Sequence, residues 1–160
     1  MKLLFCYFFI LINTGSFINY QDIEIQNYKN ALSLIFNSSE FRDYSLVNKN
    51  YYISSEIIFF SNIEIYFKDE LKNNDENVIL ENEIVKINED LVKLNKHRCG
   101  KIKIFFSEQK NDVFFAEVFI HKKKNINYKD RPIFGSSKLY MFKVINKEVS
   151  IVVTKDIHYN

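Results

Sequence analysis

Two segments in the C-terminal half of the chain alternate between apolar and other residues with a period of two. Lys101 to Ser107 places Ile102, Ile104 and Phe106 at every second position, and Val113 to His121 repeats the pattern. Side chains of a β-strand point to opposite faces in turn, so this period predicts two strands that each present an apolar face to a core. The short polar connection between them suits a hairpin.

The rest of the chain predicts the elements that join this hairpin. Two further strands, Lys138 to Ile145 and Val149 to Ile157, follow it and are joined around Asn146 and Lys147. The helical patterns precede it, so the order is helices first and then about four strands in a meander. We therefore expect an α+β domain in which N-terminal helices pack on one face of a C-terminal antiparallel sheet of about four strands.

Four upstream segments define the N-terminal part. Asp22 to Phe36 and Glu83 to Lys96 carry apolar residues three and four apart, which indicates the buried face of an amphipathic helix. Asn62 to Leu71 follows a capping-box spacing and predicts a shorter helix. Tyr51 to Phe60 is rich in β-branched and aromatic residues and predicts a strand. The stripe of the second long helix consists of Ile84, Ile87, Leu91 and Leu94.

Composition limits the number of domains and the class of partner. The 160 residues are 47% hydrophobic and 16% aromatic, which suits one domain with a sizeable core. With three glycines and one proline, the chain has no glycine-rich phosphate-binding loop. Its formal charge is only +2, whereas nucleic-acid-binding proteins usually carry a strong basic excess. The composition therefore predicts no nucleic-acid partner.

The first residues have the pattern of a secretory signal peptide. Lys2 precedes an unbroken apolar run that ends at Ile12, and small or polar residues follow. Thr14 and Ser16 occupy the positions that a signal peptidase reads, so we expect cleavage of residues 1–16 and a mature domain of residues 17–160. The run is shorter than a membrane-spanning helix, which needs about 20 apolar residues. The alternatives to cleavage are that the segment stays attached as a membrane anchor or is buried in the folded protein. Export would place the protein in the periplasm or outside the cell.

Five short sequence segments in the C-terminal part of the chain resemble those of known proteins. They are Lys103-Ile104-Phe105-Phe106-Ser107, Phe115-Ala116-Glu117-Val118-Phe119, Phe134-Gly135-Ser136-Ser137, Leu139-Tyr140-Met141-Phe142 and Ile157-His158-Tyr159-Asn160. They resemble the C-terminal half of small uncharacterised exported bacterial α+β proteins, whose shape is similar to cystatin-like and NTF2-like domains. The resemblance implies helices followed by a curved meander. It implies no activity, because NTF2-like proteins include both enzymes and scaffolds.

The histidines and cysteines do not form a metal-binding or disulfide pattern. His97, His121 and His158 are dispersed, and no pair has the spacing of metal ligands. After cleavage Cys99 is the only cysteine, so it cannot form an intramolecular disulfide. We expect Cys99 to be a small buried hydrophobe, with a free reactive thiol as the alternative. The sequence predicts no metal and no cofactor.

Glu117 is the candidate catalytic residue, in the middle of a predicted strand between Phe115 and Phe119. On the outer face of the sheet it would be solvated or paired with Lys143 across the strands, and we expect this arrangement. In a cone-shaped fold the same face could line a cavity, where Glu117 could act as a general base. A phenolic cluster of Tyr51, Tyr52, Tyr140 and Tyr159 has the same two interpretations.

The sequence favours a binding role at the cell envelope over catalysis. It contains no serine-nucleophile motif. A set of cations could form a patch for an anionic surface, although such residues are more often the solvated side of a helix and sheet. This set is Lys93, Lys96, Arg98, Lys101, Lys103, Lys122, Lys123 and Lys124. We expect a non-enzymatic binding or accessory domain that has no cofactor. The alternatives are a small cavity enzyme that uses Glu117 and an inhibitor or immunity-like protein.

Overall fold

The computed structural model describes most of the predicted domain. The described residues are 20–42, 50–72, 84–95, 100–124, 126–131 and 135–159. The predicted signal peptide, His97 and Cys99 lie outside them. Among the residues covered, no helix is both long enough and apolar enough to span a membrane.

The described segments form four helices, two 3-10 turns and six strands. The helices are α1 (Tyr20–Asn37), α2 (Ser61–Glu64), α3 (Lys68–Leu71) and α4 (Glu89–Lys93), with a further helical turn at residues 39–42. The 3-10 turns are Ile65–Phe67 and Tyr128–Asp130. The strands are β1 (Tyr51–Ile58), β2 (Ile84–Ile87), β3 (Ile102–Ser107), β4 (Val113–Ile120), β5 (Gly135–Ile145) and β6 (Glu148–Tyr159).

The six strands form one mixed sheet in the order β2-β1-β3-β4-β5-β6. β3 to β6 are the expected antiparallel meander, and β1 extends the sheet by pairing in parallel with β3. A Cβ on Gly100 would lie 2.3 Å from the backbone carbon of Tyr51, so glycine permits the close approach of the chain to β1. The α+β class is confirmed, but the sheet is larger than predicted.

The predicted helix from Glu83 to Lys96 is wrong in its first half. Ile84–Ile87 forms the edge strand β2 and pairs antiparallel with β1. The side chain of Asn88 then accepts a hydrogen bond of 3.1 Å from the Asp90 N–H and caps α4. Ile87 is 50% exposed, so the predicted stripe is not a single buried face. β-branched residues at this site favour a strand, which the helical spacing concealed.

One face of the sheet packs on α1 and α4. α1 contributes a buried stripe with helical spacing, and β3 and β4 contribute the residues that the alternating pattern predicted. The buried side chains of this core include Tyr28, Ala31, Leu32, Ile35, Leu91, Ile102, Ile104, Phe106, Phe114, Ala116 and Val118. We call this the α1 face.

The opposite face is also covered, by shorter segments. The segment from α2 to α3 and residues 126–131 pack over it, and the sheet therefore lies between two layers. The buried side chains of this second core include Ile63, Phe67, Phe105, Phe115, Phe119, Ile126, Tyr128, Leu139 and Met141. We call this the loop-covered face. The prediction that helices cover only one face of the sheet is therefore wrong.

Candidate functional site

Glu117 lies at the centre of the loop-covered face and is only 1% exposed. One of its carboxylate oxygens accepts a hydrogen bond of 3.1 Å from the Tyr128 hydroxyl, and the other accepts one of 2.6 Å from the Tyr159 hydroxyl. The Tyr159 oxygen also lies 3.2 Å from the Ser137 hydroxyl. Three segments therefore meet at one buried carboxylate: β4, β6 and the 3-10 turn Tyr128–Asp130, which lies between β4 and β5.

The expectation that Glu117 is solvated or paired with Lys143 is wrong. In the sheet register Glu117 lies opposite Leu139 and Phe105, whereas Lys143 lies opposite Val113 and is exposed. The alternating pattern placed Glu117 on the correct face. It could not show that residues 126–131 cover that face, because this packing joins segments with unrelated local patterns.

Burial and the charge of Glu117 act on the surrounding tyrosines. Burial, reinforced by the nearby negative charge of Glu117, raises the pKa of Tyr128 and Tyr159 well above the usual tyrosine value. Burial and then the charge of Glu117 also raise the pKa of Tyr66, which is half-buried in the 3-10 turn between α2 and α3. Each phenol is therefore held in its protonated form, which can donate a hydrogen bond.

Arg131 borders this cluster. Its guanidinium carbon lies 4.2 Å from the ring centroid of Tyr128, a cation–π contact on a half-buried side chain. The positive charge of Arg131 partly opposes the rise in the pKa of both Tyr66 and Tyr128. The group of Glu117, Tyr66, Tyr128, Tyr159 and Arg131 is called the Glu117 cluster below.

The predicted phenolic cluster is divided between the two faces. Tyr140 and Tyr51 belong to the α1-face core, while Tyr159 reaches Glu117 on the other face. Tyr52 instead lies under the ammonium of Lys103, at 4.9 Å from its ring centroid. The sequence did not indicate Tyr128, because it lies in a connection without periodicity.

A groove lies at the N-terminal half of α1, next to the turns of two hairpins. Its volume is about 580 Å³, within the about 300–1,000 Å³ of small-molecule sites. The turns use consecutive residues with positive φ, a geometry of tight hairpins. The lining residues are Asp22, Ile23, Glu24, Gln26, Asn27, Gln109, Asp112, Val144, Asn146 and Lys147. We call this the α1 groove.

The walls of the α1 groove are held in place by hydrogen bonds. Asn27 of α1 donates to the side-chain oxygen of Gln109 at 2.9 Å. The two hairpins are joined by the Val144 N–H, which donates to the Asp112 carbonyl at 2.8 Å. Glu24 is engaged by Tyr28 and by Lys86, so Asp22 and Asp112 supply the remaining carboxylates of the groove. Apolar and polar groups thus share one concave surface.

One member of the predicted basic patch, Lys103, does not lie on the surface. Lys103 is fully buried and donates at 2.6 Å to the carbonyl oxygens of Gly100 and Lys124, while Lys122 and Lys123 are exposed. Lys93 is paired with Asp90 at 2.5 Å. Lys96 and Arg98 lie outside the described residues. The structure therefore removes Lys103 from any docking surface and assigns it to holding the backbone.

The two histidines that the structure describes, His121 and His158, lie in different environments. His121 accepts a hydrogen bond of 3.1 Å from the Lys123 N–H, and burial together with the charges of Lys103 and Lys123 lowers the pKa of its ring. His158 is exposed on β6. No group of three metal-ligating side chains occurs in the part of the chain that the structure covers.

Comparisons with protein-family models, with curated proteins and with solved structures find no match to this chain. The suspected resemblance to small exported bacterial proteins therefore stays a prediction.

Proposed function

We propose that the mature chain is an exported, non-enzymatic binding domain of the cell envelope, and that its ligand binds in the α1 groove. The observation that carries this proposal is the size and construction of the groove. It is large enough for a small molecule or a side chain, and its walls are fixed by contacts between α1 and the two hairpins. A preformed concave surface with apolar and polar groups is typical of ligand sites.

The bonding of Glu117 supports binding over catalysis. A general base must have a lone pair within hydrogen-bond reach of the proton that it removes. Both carboxylate oxygens of Glu117 already accept a phenolic hydrogen bond, and the residue is 1% exposed. In this arrangement Glu117 joins β4, β6 and the cover of the loop-covered face, which is a structural role.

The chemistry of the groove suggests an amphipathic ligand. Ile23 is 44% exposed and lies with Val144 among the lining residues, so an apolar group can be covered there. Asp22, Asp112 and Lys147 offer charges of both signs at the same surface. A suitable ligand has an aliphatic part and at least one polar or charged end.

A set of N-acetyl amino-acid amides, one for each side-chain type, tests the proposal by NMR titration of the protein. We expect the compounds that bind to shift the amide signals of the groove residues. Gln26→Trp places a large ring at the groove and should weaken this binding at least tenfold. Ser33→Trp, on the same exposed stripe of α1 but seven residues further on, should leave it unchanged.

Two results would contradict this proposal. Shifts that are equal in the wild type and in Gln26→Trp would show that the groove is not the binding site. If the wild type consumes a compound and the Glu117→Gln variant does not, the protein is an enzyme that uses Glu117 as an acid or base, and the binding proposal is wrong. Export is tested separately: N-terminal sequencing of exported protein should start near Phe17, and an intact Met1 would contradict cleavage.

A further inference from the structure

Two members of the Glu117 cluster, Arg131 and Tyr66, carry hydrogen-bond donors without an acceptor among the described residues, whereas Tyr128 and Tyr159 donate to Glu117. Within the part of the chain that the structure covers, neither the Arg131 guanidinium nor the Tyr66 hydroxyl donates a hydrogen bond to a protein group. Both side chains are half-buried and retain contact with solvent. The donors come from segments that are distant in sequence but pack on the same loop-covered face.

The position of the Arg131 side chain suits an oxyanion ligand. Its guanidinium stacks on Tyr128, whose hydroxyl is in turn fixed by Glu117. A stacked guanidinium keeps its edge free for two parallel N–H donors, the geometry that binds a carboxylate or a phosphate. Because the supporting ring is itself anchored, little side-chain entropy is lost on binding.

Neighbouring charges limit the affinity of such a site. Lys155 lies beside Tyr66 and donates to its carbonyl oxygen at 2.7 Å, but it is paired with Glu70 at 2.8 Å. Glu117 contributes a buried negative charge to the same cluster. The two positive charges of Arg131 and Lys155 cancel the two negative charges of Glu70 and Glu117. An anion would therefore be bound by the hydrogen-bond donors and not by a net positive potential.

We propose that Arg131 and the Tyr66 hydroxyl form a binding site for a small oxyanion, a carboxylate or phosphate group, on the loop-covered face. The site is separate from the α1 groove, which borders the other side of the sheet. Arg131 would supply two N–H donors and Tyr66 one O–H donor to the oxygens of the ligand. A half-buried position would strengthen these charge-assisted bonds compared with bulk water.

The test is an NMR titration of the full chain with sodium acetate and, separately, with inorganic phosphate, at constant ionic strength. We expect saturable shifts of the Arg131 Nε–H signal and of the amides around Tyr66 and Tyr128. Saturation with acetate identifies a carboxylate ligand, and saturation with phosphate alone identifies a phosphate group. Because Arg131 would supply charge-assisted hydrogen bonds, Arg131→Gln should weaken binding about tenfold or more.

Matched variants separate this site from general ion binding. Lys129→Gln removes an exposed cation two residues away and should leave the affinity unchanged. Tyr66→Phe should weaken binding severalfold, because it removes the neutral donor. If Arg131→Gln does not fold, Arg131→Lys, which keeps the charge but loses the planar donors, should still bind severalfold more weakly. Shifts that do not saturate, or that persist in the Arg131 variants, would overturn the proposal.

Discussion

The two faces of the sheet are built from the same strands but have different interiors. On the α1 face β3 presents Ile102, Ile104 and Phe106, whereas on the loop-covered face it presents Lys103, Phe105 and Ser107. β4 repeats the contrast, since Glu117 lies between Phe115 and Phe119 on the loop-covered face. All these residues are buried. The buried polar side chains of β3 and β4 thus all lie on the loop-covered face.

The type of cover explains this difference. α1 satisfies its own backbone hydrogen bonds and contributes an apolar stripe, so the strands below it need no polar side chains. The loop-covered face lies under irregular backbone that must find partners elsewhere. Lys103 donates to the carbonyl oxygens of Gly100 and Lys124, and Glu56 accepts from the Tyr128 N–H at 2.6 Å. Charged side chains of the strands thus supply the hydrogen bonds that the backbone of a regular helix would make within itself.

The largest effect is expected from truncation under the α1 face. Leu91 of α4 is fully buried in that core, so Leu91→Ala should lower the free energy of unfolding by about 2–5 kcal/mol. Urea denaturation measures the change, with Lys93→Ala on the exposed side of α4 as the control. Equal midpoints for the two variants would show that α4 does not hold this layer.

A smaller loss is expected when the central acceptor of the loop-covered face is removed. Glu117→Ala leaves the buried Tyr128 hydroxyl without its acceptor, which costs about 1–3 kcal/mol; relief of a buried charge offsets part of it. Tyr128→Phe in the same protein should restore part of the stability, and a double-mutant cycle measures this coupling. The exposed Glu148→Ala is the control. Strictly additive losses would mean that the two residues do not act as a pair.

The third prediction concerns alkaline pH. The folded-state pKa of Tyr159 is raised, so its protonated form stabilises the fold. This contribution is fully present below about pH 10, the pKa of an unfolded tyrosine, and is lost as the pH rises towards the folded-state value. The loss is at most about 1.4 kcal/mol per pH unit for one tyrosine.

Comparison of the wild type with Tyr159→Phe isolates this effect, because both proteins contain the same lysines. Urea midpoints at pH 8 and pH 11 should fall less in the variant than in the wild type. An equal fall in both would show that Tyr159 ionises as easily in the folded protein as in the unfolded chain.

The alternating patterns were sufficient to predict the four C-terminal strands and, for β3 and β4, which side chains share a face. Ile102, Ile104 and Phe106 share the α1 face as expected, and α1 follows its predicted helical stripe. These features depend on local periodicity, which the sequence records directly. The same rule assigned Glu117 to the face of Phe115 and Phe119.

What the sequence did not reveal depends on contacts between distant segments. The environment of Glu117 is decided by Tyr128 and Tyr159, which come from other parts of the chain. Ile84 and Ile87 fit a helical spacing, but pairing with β1 made them a strand. The α1 groove needs α1 and two hairpin turns together. Such sites arise from tertiary packing, which no local pattern records.

The parallel pairing of β1 with β3 has a consequence for the order of folding. Ile53 pairs with Ile104, so this contact closes a long stretch of chain, whereas β3 to β6 are joined in succession along the sequence. Closing a longer loop costs more entropy before any contact stabilises it. We therefore expect the four-stranded meander to form the nucleus of the transition state, and β1, together with the β2 edge that depends on it, to dock last.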